Sequence, residues 1–545
     1  MRRLIAFQVA LLSVAVLSCP AGNSPEQACS GLPRKCAKAF AWFDGLGFPD
    51  VRGRPLVRVA TGGWSESDSG PREYHQQDGF LLETGTNGAF TVLTLDLFTA
   101  SFRTDADPTG VTGRISFQEI ALEQEARAKL EALKHPPVDE DSPRRFGERI
   151  PERVEAFVLA WGCARNGLNS IAAALYEQAA KMPAPDRGWD AAANEKNGDF
   201  RQTLELDIGH ALMWRAVVAC GEPDIPRKEL LAQFENILAR YPASPHVPRA
   251  REMAGLLRQM IAEDEEHASG SLKSLVEMPA GERAEELIFQ LRDQNGRQWS
   301  QPGACDVFME FTGTTNTPAH QLVAMGHAAV PQLIAALDDQ RLTRSVGYHR
   351  DFYFSHHVLR VGDCALVVLS RIAGRSFYTN AAPSGVMATD DQRRAAREQV
   401  QAWWTAIQSE GEQQVLAAGT ASGNRDAPRQ AEALLAKYPE AAAEAIAEGL
   451  RRADDSWTRT WLVEIANRIQ DKSVVPLLLE EMQAAPFLSA RVAAATALLL
   501  RTNELAIPAM IREWQALPPP SADDWDGVES LIGFLASCDS PAAIR

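Results

Sequence analysis

The stretch Ala329-Val330-Pro331-Gln332-Leu333-Ile334-Ala335-Ala336-Leu337-Asp338-Asp339 decides how the chain is read. A β-branched residue precedes a proline, and an apolar stripe at helical spacing follows. The phrase returns as Val474-Val475-Pro476-Leu477-Leu478-Leu479 and as Ala506-Ile507-Pro508-Ala509-Met510-Ile511. Proline suits the first turn of a helix, where its missing N–H is not needed. One unit written three times predicts stacked helical hairpins rather than one closed core. At 545 residues the chain is in any case too long for a single core.

Outward from that phrase, the spacing predicts helices at Arg360 to Ala373 and at Ala490 to Leu500. They would be first helices of pairs whose second helices carry the Val-Pro phrase. In HEAT repeats an Arg and an Asp precede an Ala-rich stripe in this way, and Asp363 and Arg491 fit loosely. The region 272–545 therefore resembles HEAT-like, armadillo-type repeats. Upstream, over 148–268, Leu159, Ala172, Tyr176 and Ala179 stand at the spacing of the tetratricopeptide consensus. Small residues there let paired helices approach, and an aromatic fills the gap. Further helices are expected from Leu230 to Tyr241 and from Val247 to Ala262. Glu263-Asp264-Glu265-Glu266 reads as a solvated helix end, and Trp403-Trp404, in a helix from Arg393 to Ile407, reads as packing.

Before 148 the period changes. Residues 51–134 predict a small antiparallel β unit of three to five strands plus a helix ending near Leu133. Strands are expected at Leu56 to Ala60, Gly79 to Glu83 and Gly113 to Gln118, with a turn at Thr84-Gly85-Thr86-Asn87-Gly88. Ala89 to Phe102 reads as one long strand. It carries Phe90, Val92, Phe98 and Phe102 on one face and Leu93, Leu95 and Leu97 on the other, which predicts cover on both.

The N-terminus reads as a signal peptide, 1–18, then a leader, 19–50, with a helix around Lys35 to Phe43. Arg2 and Arg3 precede the apolar run Leu4 to Leu17, the length of a secretory segment and short for a bilayer span. The end of the run, Val16-Leu17-Ser18-Cys19, resembles the lipobox of bacterial lipoproteins, which makes Cys19 the lipidated first residue of the mature chain. Of the eight cysteines, Cys29 and Cys36 are the close pair that an exported chain can bridge. The others read as small buried apolar residues. The formal net charge of −16 argues against a general nucleic-acid binder.

Two insertions interrupt the repeats, at 340–359 and 376–389. The first holds three of the ten histidines. Insertions in solenoids gather on one face, often the binding face, and aromatics with Arg and His make interface anchors. Tyr348, His349, Arg350, Phe352, Tyr353, His356 and His357 are therefore the candidate partner-binding residues. Two other readings stay open: that His349, Asp351, His356 and His357 are metal ligands or acid–base groups, and that the insertion packs against its own solenoid. No zinc-ligand spacing, HExxH frame, Walker pattern, dinucleotide glycine pattern or Gly-x-Ser-x-Gly elbow appears. No metal or cofactor is expected.

The whole arrangement resembles exported HEAT-repeat, armadillo-like lipoproteins of bacteria with a tetratricopeptide-like segment. The features that carry this are the signal sequence, the Val92 to Phe98 phrase, the Val330-Pro331 repeat and the Arg360-Val361-Gly362-Asp363 helix start. The resemblance implies a mainly α chain, a right-handed α–α superhelix preceded by the β unit, and it brings no established activity. The expectation is a non-enzymatic scaffold for protein–protein interaction, anchored at the cell envelope through Cys19. The alternatives are a lyase-like or small-molecule-binding protein using the 340–359 insertion, and a polymer-facing stabiliser using the β unit.

Overall fold

The computed structural model describes residues 31–63, 72–85, 88–97, 99–103, 115–134, 152–182, 199–269, 274–296, 305–308, 313–348, 356–377, 389–501, 505–517 and 525–538. It is mainly helical with a small antiparallel sheet. The chain falls into two units: Met1–Leu272 with Asn295–Cys305 and Leu342–Val358, and Lys273–Gln294 with Asp306–Arg341 and Leu359–Arg545.

In the first unit the chain runs α1 (Arg34–Gly45), β1 (Leu56–Gly63), β2 (Arg72–Thr84), β3 (Ala89–Thr94), β4 (Thr99–Arg103), β5 (Ile115–Ile120) and α2 (Leu122–Lys134). It continues through α3 (Glu152–Arg165), α4 (Asn169–Lys181), α5 (Phe200–Ala219), α6 (Arg227–Arg240) and α7 (Val247–Ser269). Helix α3 is the centre. Every residue from Arg153 to Ala164 except Glu155 is buried, as expected of a helix that packs on nearly all sides. Phe157 meets Phe40 and Phe43 of α1, with ring centroids 5.5 and 5.3 Å away, and Phe43 meets Trp161 at 5.0 Å. The expected helix in the leader is thus present, but it forms part of the core. Trp161 Nε1 donates to Asp44 at 2.8 Å, and Asp44 also pairs with Arg165. The sheet approaches α3 at Gly162, where a Cβ would stand 2.1 Å from Cζ of Phe80; any side chain there would expel that ring.

The sheet has five strands in the order β4-β3-β2-β1-β5, and neighbouring strands are antiparallel. Leu56, Phe80, Leu82 and Leu93 join the core around α3. Val57, Val59, Leu81, Phe90 and Val92 form a second cluster, joined by Phe102. The sheet is therefore apolar on both faces, as expected. The single long strand is not observed: Ala89 to Phe102 folds back between β3 and β4. Leu97 takes φ 67° and donates its N–H to the Thr94 carbonyl at 2.9 Å, and Thr94 Oγ1 bonds Asp96 Oδ1. Arg215 of α5 donates to the Asp96 carbonyl at 2.9 Å. A bulky residue at positive φ is strained, so this turn depends on tertiary contacts. It contains no Gly or Asn to announce it.

Helices α3 and α4, and α6 and α7, pack as consecutive pairs, and α5 packs on α6. Leu159, Ala172, Tyr176 and Ala179 are all buried. Arg153 and Asp207 join α3 to α5 through a pair at 2.5 Å with side chains 4% and 0% exposed. The acidic run Glu263 to Glu266 lies inside α7, where Asp264 pairs with Arg227 at 2.9 Å and Glu265 with Lys228 at 3.1 Å.

The first unit also takes a hairpin from far along the chain, β6 (Leu342–Tyr348) and β7 (His356–Arg360). In the second unit the chain runs α8 (Ala280–Gln290), α9 (Pro318–Met325), α10 (Val330–Ala335), α11 (Val361–Ala373) and α12 (Asp390–Glu410). Pro331 stands in the first turn of α10. The Arg360 N–H donates to Asp363 Oδ2 at 2.8 Å, so Asp363 caps α11. Gly362 is required there, because a Cβ would lie 2.5 Å from the Leu337 carbonyl oxygen.

The remainder is a helical stack: α13 (Glu412–Ala421), α14 (Ala427–Lys437), α15 (Pro439–Arg452), α16 (Ser456–Arg468), α17 (Val475–Ala484), α18 (Leu488–Leu500), α19 (Ala506–Ala516) and α20 (Trp525–Ser537). Each packs on the next, and most pack on the one after. Pro476 and Pro508 lie in the first turns of α17 and α19. Two ion pairs repeat at the same offsets. Arg459 holds Glu481 through bonds of 2.8 and 2.9 Å and donates to the Ala453 carbonyl. Arg491 holds Glu513 at 3.0 Å and donates to the Ala485 carbonyl at 2.7 Å. Each arginine thus ties its own helix to the end of the helix before it and to the helix that follows.

Candidate functional site

The 340–359 insertion is the site the sequence singles out. Its strands form around Thr343, Val346 and Val358, residue types that favour extended backbone. Arg344 is buried and donates to three carbonyls of the α5–α6 connection, which begins at the end of α5: Cys220 at 3.5 Å, Glu222 at 3.3 Å and Ile225 at 2.9 Å. A cation suits the unsatisfied carbonyls and the dipole of a helix C-terminus. Ser345 Oγ accepts from the Gly296 N–H at 2.8 Å. Leu342, Val346 and Val358 join an apolar cluster with Met213, Trp214, Val217, Phe234 and Met253. At Gly221 a Cβ would meet Val346 Cγ2 at 2.8 Å, so glycine is what admits the hairpin.

Of the candidate partner-binding residues, Tyr348 lies in β6 and His356 and His357 lie in β7. His357 is 8% exposed and is not presented to a partner. His349, Arg350, Phe352 and Tyr353, with Asp351, fall outside the described residues. The described strands fit the reading in which the insertion packs against the chain's own helices. No group of three or more His, Cys, Asp or Glu able to hold a metal occurs among the described residues.

Cys19 and Cys29 lie outside the described residues, while Cys36 is buried in α1. Burial also pushes the Cys163 thiol up to about 12, which removes it as a nucleophile at neutral pH. No helix among the described residues is long and apolar enough to cross a membrane.

Two polar clusters were not read from the sequence. In the first unit, Trp214 Nε1 donates to His210 Nε2 at 2.9 Å, and His210 Nδ1 lies 2.8 Å from His246 Nε2. His210 and Trp214 are one helical turn apart, a spacing visible in the sequence, but His246 comes from another element. In the second unit, Glu412 accepts from Lys437 at 2.5 Å and from the Tyr438 hydroxyl at 3.1 Å, with His327 Nε2 at 3.5 Å. Partial burial works against this carboxylate, yet the Lys437 and His327 charges and the two hydrogen bonds bring it below the usual carboxylate range. His327 also faces Trp404 and Trp403, at 5.5 and 6.1 Å between centroids, and Phe377 meets Trp403 at 5.7 Å. Trp403 is buried and serves as packing, as expected.

The most open apolar feature is on the stack. Among the described residues, six of the seven exposed large apolar side chains lie between Trp457 and Ile532. Trp457 and Trp461, one turn apart on α16, are 48% and 38% exposed with ring centroids 6.0 Å apart, and Trp514 on α19 is 46% exposed. No family model, no curated protein and no solved structure matches the chain.

Proposed function

We propose that the chain is an exported scaffold, held at a bacterial cell envelope through lipid on Cys19, that binds protein partners and catalyses no reaction. Its helical part is a right-handed α–α superhelix, tetratricopeptide-like over 148–268 and HEAT-like over 272–545. The observation that carries the reading is the stack α13 to α20 with its exposed indoles. Helices that pack on near neighbours in sequence leave a long outer surface, and tryptophan is the residue type most often found as an interface anchor. The repeated Arg459–Glu481 and Arg491–Glu513 pairs support a repeat origin. Export and lipidation rest on the sequence Arg2 to Cys19. The small-molecule alternative at the insertion has no comparable support, because Leu342, Val346 and Val358 of its strands are buried among α5, α6 and α7.

The test uses the chain from residue 20 onward, immobilised and exposed to detergent-solubilised envelope proteins. The expected result is a reproducible set of retained proteins, reduced by more than about tenfold when Trp457 and Trp461 are both changed to Ala. Equal retention by the double variant would count against the assignment of this face, and no retention by either form would count against a scaffold. Separately, Cys19→Ala in the full chain should move the protein out of the membrane fraction.

A further inference from the structure

The exposed indoles of α16 belong to a face that repeats along the chain. The prolines of α17 and α19 differ by 508 − 476 = 32, and so do the arginines of the two ion pairs, 491 − 459 = 32. The same step relates α14, α16 and α18. Ala431, Val463 and Ala495 are buried at equivalent positions, as are Leu434, Ala466 and Leu498. These three helices pack side by side and run the same way. A Cβ at Gly423, ahead of α14, would stand 2.7 Å from the Ala453 nitrogen, ahead of α16. Near the other end of α16, Arg468 holds Glu432 of α14 at 3.0 Å. Ser489 at the start of α18 lies 2.7 Å from Ser456 at the start of α16, and Arg501, just after α18, bonds the Ile469 carbonyl just after α16 at 2.9 Å. Equivalent side chains of the three helices therefore stand in rows.

One row is Arg425, Trp457 and Ser489, and the next is Arg429, Trp461 and Ala493. Arg425 and Arg429 are exposed, and neither guanidinium has an ion-pair partner among the described residues. The indoles beside them are 48% and 38% exposed. Packed helices stand about 8–10 Å apart, so each guanidinium is one helix spacing from an indole. On the other flank the floor drops, because Ser489 and Ala493 are small. The acids lie differently. Glu432 is tied to Arg468, and Asp455 caps α16 by accepting from the Thr458 N–H at 2.8 Å. Asp454 and Glu464 are exposed, one before Trp457 and one after Trp461. Acid thus flanks the indoles along α16, while cation flanks them across, on the α14 side. The whole chain carries −16, so this cationic column is a local feature.

Resting on the reading of this face as the partner surface, we propose that its partner presents an acidic segment in which carboxylates alternate with apolar side chains. The segment lies across the rows, with carboxylates over Arg425 and Arg429 and apolar side chains over the indoles and the shallow floor beyond them. A guanidinium pairs with a carboxylate in matched fork geometry, and Trp and Arg are the residue types that most often anchor an interface. Asp454 and Glu464 repel a segment that runs along α16 instead, which fixes the direction. Opposite charges of this kind speed encounter and set register, and salt weakens them.

Two labelled peptides of equal length test this on the chain from residue 20 onward, one alternating Asp with Phe and one alternating Lys with Phe. Binding is followed by fluorescence anisotropy. The acidic peptide should bind about tenfold more tightly or better, and raising the ionic strength from about 0.02 to about 0.15 M should weaken it. Arg425→Glu with Arg429→Glu should reverse the order of the two peptides; both sites are exposed, so the variant keeps its core. Trp457→Ala with Trp461→Ala should weaken both peptides. Equal binding of the two by the wild type, a preference for the basic one, or an order unchanged in the Arg double variant overturns the proposal. Binding to phosphatidylglycerol vesicles with none to either peptide would mean that the face meets lipid, and overturns it too. Envelope proteins lost by the Trp double variant but kept by the Arg double variant would leave the scaffold face standing and overturn the acidic partner alone.

Discussion

The core of the first unit and the core of the C-terminal stack solve the same problem with different residues. Around α3 the space is filled by Phe40, Phe43, Phe80, Phe157, Trp161, Tyr176 and Tyr241. Between α13 and α20 it is filled by Leu, Val and Ile and by Ala427, Ala431, Ala442, Ala445, Ala466, Ala494, Ala495 and Ala497, with Phe534 the aromatic of the fully buried set. The reason is geometric. The first unit brings a sheet, an N-terminal helix and several helical pairs onto one central helix, and the gaps between elements of different shape take large rings. The stack repeats one contact between similar helices, so small residues let the backbones approach. At Gly449 a Cβ would lie 2.4 Å from the Thr420 carbonyl oxygen, a direct sign of that close approach.

Truncation should therefore hurt the first core most, and added volume should hurt the stack. Phe157→Ala removes a ring in contact with Phe40, Phe43 and Tyr176. It should destabilise the first unit by about 3–5 kcal/mol, read by denaturant unfolding. Hydrogen exchange should place the loss in 31–182, with α13 to α20 unchanged. An equal loss of protection in the stack would show that the two cores are not separate. Asp207→Ala leaves the buried Arg153 guanidinium without its carboxylate and should cost about 3–5 kcal/mol, near the lower end where water reaches the site.

In the stack the expected effects are smaller. Gly449→Ala should cost about 1–3 kcal/mol through overpacking, seen as a lowered melting temperature. A substitution without effect there would mean that the α13–α15 contact is looser than its geometry indicates. The smallest change belongs to Glu412. Its carboxyl is held below the usual range, so its contribution is present above the unfolded value of about 4.3 and fades as pH falls below it. Glu412 is 18% exposed but its partner Lys437 is 51% exposed, so solvent screens the pair, and Glu412→Gln should alter stability by no more than about 1 kcal/mol at pH 7. The difference between the two proteins should vanish once pH has fallen through the lowered folded-state value.

The stack was the more legible of the two cores. A proline after a β-branched residue, followed by an apolar stripe, identifies α10, α17 and α19 because those signals are local. The first unit depends on contacts between distant residues. The turn between β3 and β4 is held by Arg215, about 120 residues away in sequence, and nothing in Leu95-Asp96-Leu97 marks a turn by itself. The strands of the insertion were missed for the same reason, since the partners of Arg344 are carbonyls of the distant α5–α6 connection. Its composition of His, Arg and aromatics looked like a partner surface, yet His357, one of those residues, is buried. The Arg459–Glu481 and Arg491–Glu513 pairs share one offset along the chain; that matched Arg…Glu spacing was a signal available in the sequence. The His210–His246 contact was not, because it joins a mid-helix residue to the residue before another helix.

The central claim is that partners meet the exposed face of the stack and that the hairpin strands are internal packing. Site-specific photo-crosslinking in cells tests it directly, with a photoreactive residue placed at Trp461 in one form and at Val346 in another. The account predicts a discrete crosslinked partner from position 461, and from position 346 only crosslinks within the chain. A partner captured from 346 with none from 461 would contradict it.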